Sequence, residues 1–206
     1  MIRAVAFFGA FNPPTRAHLE LADYARRATG REAALFVPSR AAYIRDSQGK
    51  DRAFSDAERL RMLNALAAHR PWMRVCDWEL HQEAQPRTYT TLCHLREEGY
   101  APTLLMGSDK LAELATGWKY VPEIAREFGI VVLGRNTDDA PRMIREDPFL
   151  RSLGDAITVL ETPNDTREVS STAVRQTLRQ IEEKQQELRR MVPEELLEML
   201  LTVPRP

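Results

Sequence analysis

A chain of 206 residues, 43% of them apolar, is long enough to bury a substantial core and has the size of one large domain or two small ones; a single domain is the expectation. Its 29 Lys and Arg nearly cancel 30 Asp and Glu, leaving a formal net charge of -1. That balance excludes a global field for gripping nucleic acid or a membrane surface and points to a small-molecule partner, with homo-oligomerisation left open. Cys76 and Cys93 lack a CxxC spacing and neighbouring His ligands, so neither a disulfide framework nor a zinc site is indicated, and a reducing cytoplasm fits. Met1 to Phe8 reads as a strand rather than a charged leader, and no apolar run approaches the roughly 18 residues of a membrane span, so neither secretion nor membrane insertion is expected.

In chain order, apolar runs of strand length fall at Ile2 to Phe8, Ala33 to Val37, Met73 to Val75, Thr103 to Met106, Gly129 to Leu133 and Ile157 to Leu160. Their even hydrophobicity predicts strands buried on both faces. Amphipathic stretches lie between them. One follows the first strand, with Leu21, Ala22 and Ala25 turned inward. A clearer one runs from Ser55 to His69, where Leu60, Leu63, Leu66 and Ala67 share a face and Ser55 with Glu58 forms a capping box. Alternating strands and helices predict an α/β fold: a Rossmann-like, doubly wound parallel sheet with helices on both faces.

Two regions break the alternation. Ser39 to Phe54 is polar and aperiodic, which reads as a functional loop, and Asn136 to Asp155, rich in Asp, Arg and Pro, reads as an insertion or a flap. After them, Pro193 to Leu201 restarts as a helix whose Leu196, Leu197, Leu200 and Leu201 are available to dock.

Chemistry concentrates at two helix starts. Directly after the first strand comes Gly9-Ala10-Phe11-Asn12-Pro13-Pro14-Thr15-Arg16-Ala17-His18. Ligands of open α/β sheets sit beyond the carboxyl ends of strands, Gly9 permits close backbone approach, and Thr15 is a natural N-cap for a helix whose start favours phosphate. His18, one turn in, shares the face of Thr15 and is directed back toward the helix start. Taken by itself, this string also fits a capped helix with a satisfied histidine. The second start is Val169-Ser170-Ser171-Thr172-Ala173-Val174-Arg175, where hydroxyls and a guanidinium share one helical face and make an anion site or, read blandly, an ordinary Ser-capped helix.

Together the two strings resemble the signatures of the nucleotidylyltransferase superfamily: Gly-x-Phe-Asn-Pro-x-Thr-x-x-His, with Thr15 where a first histidine is usual and Ala17 where glycine is, and Ile-Ser-Ser-Thr-x-x-Arg. The threonine form is similar to that of the eukaryotic nicotinamide-mononucleotide adenylyltransferases. Between them, Thr88-Tyr89-Thr90-Thr91-Leu92 resembles a Thr-x-x-Thr-Leu element of the nicotinate-nucleotide adenylyltransferases, with Arg87 replacing a frequent tyrosine. Gly107-Ser108-Asp109 resembles the family's Gly-x-Asp, Trp118 its ring-stacking tryptophan, and Arg135 a basic residue after a strand. Arg40 to Arg45 departs from the bacterial Pro-Pro-His-Lys loop and is closer to the eukaryotic Asp-Ala-Tyr-Lys-Lys pattern, with Arg45 in the phosphate-contacting place. The resemblance spans Val5 to Arg175 in order. His69, His81 and His94 are isolated and read as surface or satisfied histidines.

The resemblance implies one nucleotidylyltransferase domain over residues 1 to 206, with C-terminal helices from about residue 171 closing the site. It implies AMP transfer from ATP to nicotinate mononucleotide, with nicotinamide mononucleotide as a poorer second acceptor, in NAD biosynthesis. Thr15 and His18 would then serve the α-phosphate, Ser170, Ser171, Thr172 and Arg175 the distal phosphates, and Gly9, Phe11, Gly107 and Asp109 the rest of ATP. Asn12, Arg45, Arg87, Thr88, Trp118 and Arg135 would receive the acceptor, and Mg²⁺ would arrive with ATP rather than in an all-protein cage. A phosphopantetheine-type adenylyltransferase and a non-catalytic nucleotide sensor are the alternatives; Trp118 and the Thr88 element weigh against the first, His18 and Arg175 against the second.

Overall fold

Six strands, β1 (Ile2–Gly9), β2 (Ala33–Pro38), β3 (Met73–Val75), β4 (Tyr100–Gly107), β5 (Ile130–Gly134) and β6 (Ile157–Glu161), form one parallel sheet in the order β3-β2-β1-β4-β5-β6. This is the doubly wound arrangement that the alternation predicted. The computed structural model describes residues 1–48, 54–134, 139–162, 171–177 and 185–202. Helices on both faces explain the burial of the central strands: every residue of β2 is buried, as are Thr103 to Met106 of β4 and Ile130 to Leu133 of β5. The prediction of two-sided burial fails at β6, where no residue is fully buried, because β6 is an edge strand.

Two compact units make up the chain. The first comprises Met1–Phe7, Leu21–Leu35 and Pro86–Asp165. In it β1 runs parallel to β4 with Phe7 opposite Leu105, and β4 to β5 with Leu104 opposite Ile130. Helices α4 (Thr88–Glu97) and α6 (Val121–Phe128) pack on β4 and on each other, α6 burying Val121, Ile124, Ala125 and Phe128 at helical spacing. The segment read as an insertion or flap carries two short helices, α7 (Ala140–Glu146) and α8 (Pro148–Ser152). Its Asp and Pro residues are helix-start chemistry. The Asp139 carboxylate accepts from Arg142 N, the Asp147 carboxylate from Phe149 N and Leu150 N, and a proline follows each cap within the first turn.

The second unit comprises Phe8–Glu20, Phe36–Gln85 and Thr166–Pro206. It holds α3 (Asp56–Ala68), whose capping box is formed as expected: Glu58 N donates to Ser55 Oγ at 3.2 Å and Ser55 N to Glu58 Oε2 at 2.7 Å. The inward face of α3 is rotated from the predicted one. Arg59, Met62, Leu63 and Leu66 are buried, while Leu60 and Ala67 are only half-buried. The predicted loop from Ser39 to Phe54 contains helix α2 (Ala41–Gln48). Among its described side chains Ala41 and Ile44 are buried, a pair too short to show a period, and its first amide is held by a side chain from beyond it, Ala41 N donating to Asp56 Oδ1 at 2.7 Å. The C-terminal restart is helical as expected, a 3-10 turn over Glu194–Leu196 that runs on into an α-helix over Leu197–Thr202. It docks Leu196 and Leu200 and leaves Leu201 exposed, against the expectation that four leucines pack.

Candidate active site

The loop after β1 is shaped by three residues. A Cβ at Gly9 would lie 3.1 Å from the Phe11 ring, so glycine is what lets that ring fold back under the strand end. Phe11 is buried with φ at 44°, in the left-handed region, and its ring meets His18 edge-on at 5.2 Å and Phe36 at 5.3 Å. The Asn12–Pro13 peptide is cis. Asn12 is buried and its Oδ1 accepts from Phe54 N at 2.9 Å.

Helix α1 (Arg16–Ala28) begins immediately after Thr15, which is fully buried, and turns Ala22 and Ala25 inward as predicted, with Leu19 rather than Leu21 completing the buried face. Thr15 N donates to His18 Nδ1 at 3.0 Å, and Thr15 Oγ1 lies 2.8 Å from the same nitrogen. A backbone amide has no acceptor capacity, so Nδ1 is the acceptor and the neutral ring carries its proton on Nε2. Thr15 Oγ1 also accepts from His18 N at 3.5 Å, so Thr15 caps the helix as well as assigning the tautomer of His18. In this tautomer the ring's own donor is Nε2–H.

Helix α9 (Ser171–Thr177) is anchored by buried Val174 and reaches the same loop. Ser171 Oγ donates to Pro13 O at 2.8 Å, Arg175 Nη1 donates to Asn12 O, and Arg175 Nη2 donates to Thr172 Oγ1 at 3.2 Å. Arg16 Nε donates to Val192 O at 3.1 Å, tying the start of α1 to the C-terminal segment. Gly9, Phe11, Asn12, Thr15, His18, Ser171, Thr172 and Arg175 thus come together within one unit, although the two strings are far apart in sequence. Val169 and Ser170 lie outside the described residues, as does Arg135. Arg45, in the last turn of α2, is exposed.

Sequence reading missed Arg59. Its side chain is fully buried in the second unit, donating from Nη1 to Ala10 O at 2.6 Å and from Nη2 to Ser39 O and to the Asp56 carboxylate. Burial pushes this guanidinium below its ordinary value, and the hydrogen bond to Asp56 opposes that shift. The available signal was an arginine at the first position of the stripe Arg59, Met62, Leu63, Leu66, where an apolar residue belongs.

The remaining predicted residues belong to the first unit. Gly107 closes β4, and Asp109 sits in the 3-10 turn Ser108–Lys110 that follows. The Asp109 carboxylate lies over Gly107, in the place a Cβ there would take, and caps neither that turn nor the next helix. It is exposed. Arg87 is exposed and extended at the start of α4, with no side-chain capping bond, and Thr88 is the first residue of that helix. Trp118 is half-buried just after α5 (Leu111–Thr116), its amide donating to Glu113 O at 3.2 Å. His69 and His81 are exposed, as the reading of isolated surface histidines expected. Among the described residues, no group of three or more His, Cys, Asp or Glu side chains is placed to hold a metal, and no helix is long and apolar enough to cross a membrane.

The sequence profile of the cytidylyltransferase-like family matches residues 6–177, which takes in both helix starts. Among curated relatives, a protein of Neisseria meningitidis serogroup B named "probable nicotinate-nucleotide adenylyltransferase" is 32% identical over 177 residues, covering 84% of this chain and 85% of that one. The "nicotinamide/nicotinic acid mononucleotide adenylyltransferase" of Arabidopsis thaliana is 28% identical over 186 residues, covering 82% and 77%. A solved structure of the Plasmodium falciparum nicotinic acid mononucleotide adenylyltransferase complexed with NaAD superimposes with a TM-score of 0.74 over 98% of this chain and 95% of that one. At 16% identity, this last likeness is one of fold.

Proposed function

This chain belongs to the cytidylyltransferase-like family and, within it, to the nicotinate-nucleotide adenylyltransferases, and from that premise we propose how its residues move AMP from ATP to a pyridine mononucleotide. The acceptor phosphate is already an anion at neutral pH and needs no general base. One of its oxygens bonds to the α-phosphorus, the bond from that phosphorus to the bridging oxygen of the β-phosphate breaks, and pyrophosphate leaves with the bonding electron pair. The protein aligns the two phosphates and stabilises the charge that develops.

Nε2–H of His18, in the tautomer assigned by Thr15, donates to the α-phosphate, while Ser171, Thr172 and Arg175 hold the distal phosphates. Gly9 and Phe11 shape the loop that receives the triphosphate, and Gly107 and Asp109 take the adenosine ribose. Trp118 stacks on the pyridine ring, with Asn12, Arg45, Arg87, Thr88 and Arg135 serving the rest of the acceptor. Magnesium enters as part of the MgATP substrate, bound through its phosphates. The 206 residues work as one nucleotidylyltransferase domain, the helices from about residue 171 closing on bound nucleotide, and the balanced charge suits a cytoplasmic enzyme.

One observation carries this reading: Ser171 and Arg175 grip the carbonyls of Pro13 and Asn12, which joins the second helix start to the loop and helix that hold His18. The test is pyrophosphate release from MgATP with nicotinate mononucleotide, nicotinamide mononucleotide, 4′-phosphopantetheine or no acceptor. The expected result is release dependent on a pyridine mononucleotide, fastest with the nicotinate, and a dinucleotide product. Release driven by phosphopantetheine alone, or nucleotide binding with no release at all, would overturn it.

A further inference from the structure

We propose that Arg59 is a positioning residue for nucleotidyl transfer, a role that rests on the functional reading above and adds to it a residue outside both sequence signatures. Three acceptors converge on its guanidinium, each from a different part of the second unit: the Ala10 carbonyl in the loop after β1, the Ser39 carbonyl at the end of β2, and the Asp56 carboxylate at the start of α3. Asp56 in turn accepts from Ala41 N at 2.7 Å, so the same pair also fixes the start of α2. The loop is held at three of its carbonyls by side chains. Arg59 takes that of Ala10, Arg175 that of Asn12 and Ser171 that of Pro13.

The Ala10 contact differs from the other two. The peptides after Asn12 and Pro13 lead into prolines and carry no N–H, whereas the Ala10 carbonyl belongs to the peptide that ends in the Phe11 amide. In a trans peptide the carbonyl and the N–H point in opposite directions, so holding Ala10 O also sets where the Phe11 N–H is aimed. Phe11 itself is buried with its ring against that of His18. Of the three carbonyls held by side chains, Arg59 therefore holds the one whose peptide carries an N–H, and with it the seat of Phe11 under His18.

A full desolvation of the guanidinium is the cost of that arrangement. The side chain is fully buried and its Nε has no hydrogen-bond acceptor among the described residues. A leucine or methionine would fill the stripe of α3 without that penalty, which is the physical reason to assign Arg59 a task beyond packing.

The experiment compares Arg59→Lys and Arg59→Met with the wild-type chain in steady-state kinetics with MgATP and nicotinate mononucleotide. Folding is checked by circular dichroism and thermal midpoint, and rates are taken well below every midpoint. Methionine fills the stripe without donors, and lysine restores one charged donor but not the three-way fork. The expected result is a fall in kcat of about 100-fold for Arg59→Met and a recovery of at least about 5-fold in Arg59→Lys, with the acceptor KM within about 3-fold throughout. Equal kcat per folded molecule in wild type and Arg59→Met would overturn the role. So would equal losses in the two variants that track their thermal midpoints, since a purely structural arginine predicts no rescue in kcat by lysine. An inactive wild-type chain would instead sink the functional reading, which separates the two failures.

Discussion

The two groups of candidate residues are built in opposite ways. In the second unit, the loop after β1 and the helix behind it are held by side chains at every turn: Arg59 on Ala10, Arg175 on Asn12, Ser171 on Pro13, Phe54 N on Asn12 Oδ1 and Thr15 on His18. In the first unit, Arg87 and Asp109 are exposed and cap nothing, and Trp118 is only half-buried. Groups that must meet developing charge gain from being fixed in advance, because reorganisation during the reaction is then avoided. Groups that recognise a ribose or a ring have less to lose from adapting to it. The difference predicts that substitutions in the first group act on the reacting triphosphate, through turnover or ATP binding, and those in the second on recognition of the ribose and the acceptor and on choice of substrate.

The largest expected effect is that of His18→Ala, which should lower kcat by roughly 10² to 10³ in a folded protein, the usual loss on removing one preorganised donor. Near-normal turnover would remove His18 from the chemistry and break the comparison at its firmest point. Arg175→Ala comes next. Its charge-assisted bonds are each in the range of about 1.5–3 kcal/mol, so the KM for ATP should rise by about 10- to 100-fold and that of the acceptor by less. If only the acceptor constant rises, the orientation assigned to the two substrates is reversed.

Smaller effects are expected in the first unit. Gly107→Ala meets no backbone obstacle, but its Cβ would occupy the place of the Asp109 carboxylate and force it aside. A rise of about 3- to 10-fold in the KM for ATP with kcat little changed would fit one ribose hydrogen bond lost, whereas unchanged kinetics would separate Asp109 from ATP. Arg87→Ala should lower the preference for nicotinate over nicotinamide mononucleotide by about 3- to 10-fold, because a nicotinate carboxylate gains from a cation that an amide does not need. An unchanged ratio of the two kcat/KM values would take Arg87 out of the selectivity. As a reference, Asp147→Ala removes the cap of α8 and should cost about 1 kcal/mol in urea unfolding while leaving the kinetics unaltered.

Much of this molecule is legible in one dimension because its signals are local. Strand placement follows from short apolar runs, the capping box of α3 from two side chains within one turn, and both helix starts from contiguous strings whose residue types are required where they stand. The same locality explains the misreadings. Helix α2 is held in part by an aspartate from the following helix, and its described buried residues, Ala41 and Ile44, are too few to form a period, so its own sequence does not announce it. The Asp and Pro residues around residue 140 that set an insertion or flap apart in the sequence also cap its two short helices, which their composition alone did not announce.

Composition, period and spacing by themselves determined the fold class and located the two helix starts, because backbone preference, hydrophobic period and capping are properties of neighbouring residues, while the chemistry proposed for those starts came from their resemblance to a family. Tertiary structure alone decided which nitrogen of His18 holds the proton, that Ser171 and Arg175 seat on the carbonyls of Pro13 and Asn12, and that Arg59 faces inward to the Ala10 carbonyl. Each of these is a hydrogen bond between polar groups, most of them widely separated along the chain, and such a bond depends on distance and direction in space, which residue order does not encode locally.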